Sequence, residues 1–128
     1  MVIPKPHQPG KFRMIVDFRA LNDLTVADKY PLPDVPSIME RLEGKKIFSV
    51  IDLLSGFYHI PVYTPHVERT SMSTPHGNFE WLVMPMGLKN SPSHFQRTVD
   101  GVFTNMDYAN VFVDDVIVAS NSVEEHRL

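Results

Sequence analysis

The chain has 128 residues, a formal net charge of -3 and no cysteine. That length suits one domain burying roughly two thirds of its unfolded surface; the lack of cysteine excludes a disulfide framework or a thiolate metal site. No apolar run is long enough to span a membrane, the proline-broken opening Met1-Val-Ile-Pro-Lys-Pro6 has no signal-peptide pattern, and the mild acidity argues against a general nucleic-acid coat. An intracellular chain without a membrane partner is the expectation, its compartment unspecified.

Charge is distributed unevenly. Residues 1–20 carry Lys5, Lys11, Arg13 and Arg19 against Asp17, whereas residues 101–128 carry Asp107, Asp114, Asp115, Glu124 and Glu125 against Arg127. A basic front suits a polyanion and an acidic back suits metal cations; scattered solvated charge is the plain alternative.

In chain order, Pro9-Gly10 signals a turn, and Phe12–Phe18 reads as a strand forming the cationic arm of a hairpin. Lys11 and Arg13, two apart, share a strand face. They suit either a phosphate clamp or a charged guard on an exposed edge. Arg19–Val26 leads into Tyr30-Pro-Leu-Pro-Asp-Val-Pro36, which is too proline-rich for regular structure and reads as a surface connector. Asp34 then caps a helix whose stripe is Val35, Ile38, Met39 and Leu42, with Gly44 as its stop.

Ile47-Phe-Ser-Val-Ile-Asp52 reads as a buried strand closing on a carboxylate. Asp52 could cap the next turn or serve chemistry. Phe57 follows after a sharp turn or coil, and an aromatic in such a run is usually core. Arg69–Thr74 and Phe79–Val83 flank the hairpin loop Pro75-His-Gly-Asn78. Gly87, in the loop Met84–Asn90, permits close backbone approach to a ligand. Ser91-Pro92 starts a helix with the stripe Phe95, Val99, Val102 and Phe103, running to about Asn105. His94 and His126 have no metal-ligand spacing partner and read as surface or helix histidines. Val123–Leu128 reads as the first turns of a helix capped by Ser122.

The most informative stretch is Val111-Phe-Val-Asp-Asp-Val-Ile-Val-Ala119. Two β-branched runs flank Asp114 and Asp115, which places the aspartates at the bend of a hairpin. Such bends favour Asn-Gly or Asp-Gly, and adjacent like charges are costly unless a cation neutralises them. A lone acidic turn would be unremarkable. A third carboxylate, Asp52, changes its meaning.

Four ordered blocks resemble the reverse transcriptases of gypsy-type LTR retrotransposons: Lys11–Asn22, Phe48–Phe57, Met84–Pro92 with Phe95-Gln96, and Phe112-Val-Asp-Asp115. Tyr30-Pro-Leu-Pro33 and Ser73–Gly77 are similar as well. The resemblance implies an α+β fold, an antiparallel polymerase palm sheet backed by helices, with a partial fingers subdomain. Fingers would be about 1–30 and 62–90, palm about 31–61 and 91–128.

The resemblance also implies the chemistry. Asp52, Asp114 and Asp115 would hold two Mg²⁺ ions, with Mn²⁺ able to substitute, for nucleotidyl transfer from a dNTP to a primer 3′-hydroxyl on an RNA or DNA template. Lys11 and Arg13 would contact the triphosphate, Phe57 would exclude a ribose 2′-hydroxyl, and Met86 and Gly87 would floor the nucleotide pocket. Phe112 stands where the family usually has Tyr, facing primer or template. Met86 replaces Phe or Gln, Leu54 a basic residue, and Tyr58-His59 the usual His-Gln pair. Thumb and ribonuclease H segments of a polyprotein are expected partners, and the chain without them is expected to polymerise weakly or not at all. A catalytically inactive remnant serving as a nucleic-acid or protein interaction domain is the alternative. An RNA-templated RNA polymerase is a third reading.

Overall fold

A computed structural model describes residues 2–6 and 9–127. The elements in chain order are β1 (Val2–Pro4), β2 (Phe12–Met14), α1 (Arg19–Leu24), α2 (Val35–Leu42), β3 (Ile47–Asp52), β4 (Met72–Thr74), β5 (Gly77–Phe79), α3 (Ser91–Phe103), β6 (Ala109–Phe112), β7 (Asp115–Ser120) and α4 (Val123–His126). Two 3₁₀ segments, Gly56–His59 and Thr64–Thr70, complete the set. The chain divides into two compact units, each built from two stretches: Met1–Ala27 with Phe57–Ser91, and Asp28–Gly56 with Pro92–Leu128.

In the first unit, β1 and β2 pair antiparallel with Ile3 opposite Arg13. The expected strand Phe12–Phe18 stops at Met14, because β1 supplies only three partners. His7 and Gln8, just before the expected Pro9-Gly10 turn, lie outside the described residues. Arg19–Leu24, ahead of the proline-rich connector, is helical: the connector's prolines begin only at Pro31, and Ala20, Leu21 and Leu24 are good helix formers. Asn22 ties this helix to the loop Met84–Asn90, donating to the Gly87 carbonyl at 2.8 Å and accepting from the Lys89 amide at 2.7 Å.

β4 and β5 form the expected hairpin, Thr74 opposite Gly77, so Pro75-His76 is the turn. Its arms are shorter than read from sequence. Arg69 and Thr70 end the 3₁₀ segment begun by Thr64-Pro65, and in the expected second arm Val83 forms an isolated bridge with Pro61.

The second unit is a three-stranded antiparallel sheet in the order β3-β7-β6. β7 is central, and its Val116 and Ala119 are buried at 0% and 1% exposure. β3 was expected to be buried. It is instead an edge strand, and Phe48, Val50 and Ile51 are exposed.

α2 begins as expected: the Asp34 carboxylate accepts from the Ser37 amide at 3.0 Å and the Ser37 hydroxyl at 2.6 Å. Gly44, at φ 75°, follows its end in the left-handed conformation that favours glycine. Of its apolar stripe only Ile38 is buried, and Val35 and Met39 are exposed. In α3, Phe95 and Val99 are buried while Val102, expected in the same stripe, is exposed. Ser122 caps α4 by accepting from the Glu125 amide. Leu128 lies outside the described residues. His126 does more than its spacing suggested, bonding Ser120 Oγ through Nδ1 at 2.8 Å and Ser49 Oγ through Nε2 at 2.7 Å. It thereby ties α4 to both β3 and β7.

Candidate active site

The β3–β7 ladder brings two aspartates together. Asp52 ends β3, Asp115 begins β7, and the two are direct cross-strand partners. Side chains opposite one another on an antiparallel pair project from the same face. The Leu53 amide donates to the Asp114 carbonyl at 2.9 Å, carrying the attachment one residue past the last rung.

The bend between β6 and β7 is Val113-Asp114, because Phe112 already pairs with Asp115. The sequence placed the bend one residue later, at Asp114-Asp115. The apolar pattern cannot fix that register, since Val113 suits a strand as well as any residue. Here Val113 has φ 52°, and Asp114 does not share the positive sign. That position favours glycine, and a β-branched residue in the left-handed region costs about 1–3 kcal/mol. Ser55, three residues after Asp52, is also left-handed at φ 55°. Both strained residues border the carboxylates.

Asp114 sits deepest of the three. Its Oδ1 is buried and has no hydrogen-bond partner. Burial pushes its pKa upward, and the negative charges of Asp52 and then Asp115 push it further. Asp114 therefore senses both other carboxylates. Gly56 makes room for it. A Cβ there would stand 2.8 Å from Asp114 Oδ1 and 2.5 Å from Phe95 Cζ.

Among the described residues, no three His, Cys, Asp or Glu side chains already stand as a metal-binding group. The aspartates are coupled electrostatically without forming a preassembled ligand set. Their donors are all hard oxygens, and an orphaned buried carboxylate oxygen is the kind of atom a hard cation satisfies.

Phe112, opposite Asp115, is partly exposed beside the same turn. The nucleotide-contact candidates Lys11, Arg13, Phe57, Met86 and Gly87 belong to the first unit. Lys11 and Arg13 are exposed on the β1–β2 hairpin. Met86 is exposed in its loop, and the adjacent Gly87 has φ 96° with Phe18 3.7 Å from where a Cβ would stand. Phe57 is buried at 9% exposure.

Sequence reasoning gave no individual role to Gly56 or Gln96. Gln96 is wholly buried in α3, and its amide bonds the β6–β7 turn. Its signal was present: Gln96 shares a helical face with Val99 and Phe103, so a polar side chain was directed into the core.

A carboxylate ending one strand, paired with a carboxylate doublet on a tight hairpin, lies within a chain that matches the family described as "Reverse transcriptase (RNA-dependent DNA polymerase)" over residues 3–128. The chain belongs to the reverse transcriptase family. It is 38% identical over 125 residues to the Retrovirus-related Pol polyprotein from transposon opus of Drosophila melanogaster, covering 96% of this chain and 12% of that protein. It is 42% identical over 120 residues to the Enzymatic polyprotein of Cauliflower mosaic virus (strain Strasbourg), covering 93% of this chain and 18% of that one.

The reverse transcriptase fold is equally clear. The foamy viral protease-reverse transcriptase in complex with an RNA/DNA hybrid superposes with a TM-score of 0.87 at 28% identity, over 98% of this chain and 17% of that one. A form of that protein bound to double-stranded DNA gives 0.88 at 30%, over 98% and 22%. The chain thus spans less than a quarter of the length of these relatives. Reverse transcriptases generally use divalent metals.

Proposed function

We propose that this chain is the fingers-and-palm portion of an RNA-directed DNA polymerase from a gypsy-type LTR retrotransposon, encoded within a larger polyprotein. Residues of about 31–61 and 91–128 are read as palm, and about 1–30 and 62–90 as fingers. The observation that carries the reading is the pairing of Asp52 with Asp115 beside a half-buried Asp114 that is coupled to both. A cluster of negative charge with no cationic side chain among those shifting Asp114 suits divalent ions and the polyanions they carry.

Asp52 and Asp114 are the principal ligands for two Mg²⁺ ions, with Asp115 in support and Mn²⁺ an acceptable substitute. Held there, the ions would supply activation of a primer 3′-hydroxyl and neutralisation of charge on the triphosphate. Phosphoryl transfer asks little covalent chemistry of the protein. The aspartates therefore position charge, and Lys11 and Arg13 hold the phosphates of the dNTP. Phe57 selects deoxyribose, Met86 and Gly87 support the nucleotide, and Phe112 contacts primer or template. The relatives bound to an RNA/DNA hybrid and to double-stranded DNA support a primed template as the partner.

The test is labelled dNTP incorporation on a primed homopolymer RNA with Mg²⁺ or Mn²⁺. Weak incorporation abolished by Asp114→Asn is expected. Template binding without incorporation under either ion would replace the polymerase reading with that of an inactive interaction domain. Phe57→Ala should increase ribonucleotide use; an unchanged preference would favour an RNA-templated RNA polymerase.

A further inference from the structure

We propose that Gln96 is a positioning residue that holds the strained turn carrying Asp114. The Val113 amide donates to Gln96 Oε1 at 2.8 Å, and Gln96 Nε2 donates to the Val111 carbonyl at 3.2 Å. One buried side chain thus grips the backbone at the strained residue and two residues before it.

Its amide has a single workable orientation. Val113 N–H can only donate, whereas the Val111 carbonyl and the Asp100 carboxylate, 2.8 Å from Nε2, accept. Asp100 is itself fixed by the Tyr30 hydroxyl, which donates to its other oxygen at 2.6 Å. A chain of hydrogen bonds therefore runs from Tyr30 through Asp100 and Gln96 to the one residue of the turn whose φ is unfavourable. Asp114 is the next residue. Freeing Val113 to relax toward negative φ would re-aim the carboxylate.

The link to cation binding rests on the polymerase reading; the link to the turn does not. The experiment uses the whole chain, isotope-labelled, with amide exchange read by NMR and Mn²⁺ affinity read by paramagnetic relaxation. In Gln96→Met, the Val113 amide should exchange about tenfold faster, while the Val116 and Ile117 amides are unchanged. Mn²⁺ affinity should fall about 10–100-fold, as for other residues that orient metal ligands. Adding Val113→Gly should restore most of that affinity, because glycine adopts positive φ without help. A residue that merely filled the core would show no such rescue. Should Gln96→Met fail to fold, Asp100→Asn should shift both readouts in the same direction by a smaller factor.

Unchanged exchange at Val113, or failure of Val113→Gly to rescue, overturns the proposal. If the amide responds as stated but the parent chain takes up no Mn²⁺, the turn clamp stands and the polymerase reading falls.

Discussion

Asp52 and Asp115 face each other across the last rung of the β3–β7 ladder. Like charges directly opposite on a sheet oppose folding, typically by about 0.2–1 kcal/mol, and solvent holds this exposed pair toward the low end. Asp52→Asn should therefore raise the urea midpoint slightly, more at low salt than at high salt. A clear loss of stability would mean that Asp52 makes a favourable contact in the folded chain.

Asp114 gives a pH dependence of definite sign. Its folded pKa lies above the ordinary 3.8, through burial first and then through Asp52 and Asp115. The folded chain thus retains a proton that the unfolded chain has already released. Its contribution to stability is present below pH 3.8 and is lost as pH rises through the raised value. Asp114→Asn should remove this slope and stabilise the neutral protein by less than about 1 kcal/mol after screening. Denaturant titrations of both proteins from pH 3 upward (on the order of one unit per step) measure it; parallel curves would contradict the burial of this carboxylate.

Gly56 is a packing requirement. A methyl group there would press on Phe95 and Asp114 Oδ1 at once. Gly56→Ala should cost about 1–3 kcal/mol by overpacking and displace the Asp114 carboxylate, moving its side-chain resonance and amide. Wild-type stability in Gly56→Ala would show that Phe95 yields without cost.

Asp17 titrates in the opposite sense. The Arg19 side chain and amide bond its carboxylate, the shortest contact being 2.6 Å, and hold its pKa down to about 2. This stabilisation is present above the ordinary 3.8 and is lost as pH falls toward 2. Arg19→Ala should return the Asp17 titration toward 3.8 when followed by carboxyl NMR. An Asp17 that already titrates at its ordinary value would show the pair is open in solution, as exposed pairs often are.

The sequence by itself determined the α2 cap at Asp34, the Gly44 stop, the β4–β5 hairpin and the carboxylate doublet between two β-branched runs. Each is a local matter: a cap, a turn and a period-2 pattern depend on residues a few positions apart. It also placed helix α3 but not what α3 holds, since a single buried Gln among apolar neighbours gives no hint of its partners. Register, strand order and burial were decided only in three dimensions. Apolar composition cannot distinguish the edge strand β3 from the central β7, nor place the bend at Val113 rather than one residue later. Asp52 lies 63 residues before Asp115 in a chain of 128, and their meeting depends on six rungs of β3–β7 pairing. That long-range register turned three separate acidic residues into one electrostatic unit, because charges interact through the distance between them in space, not along the chain.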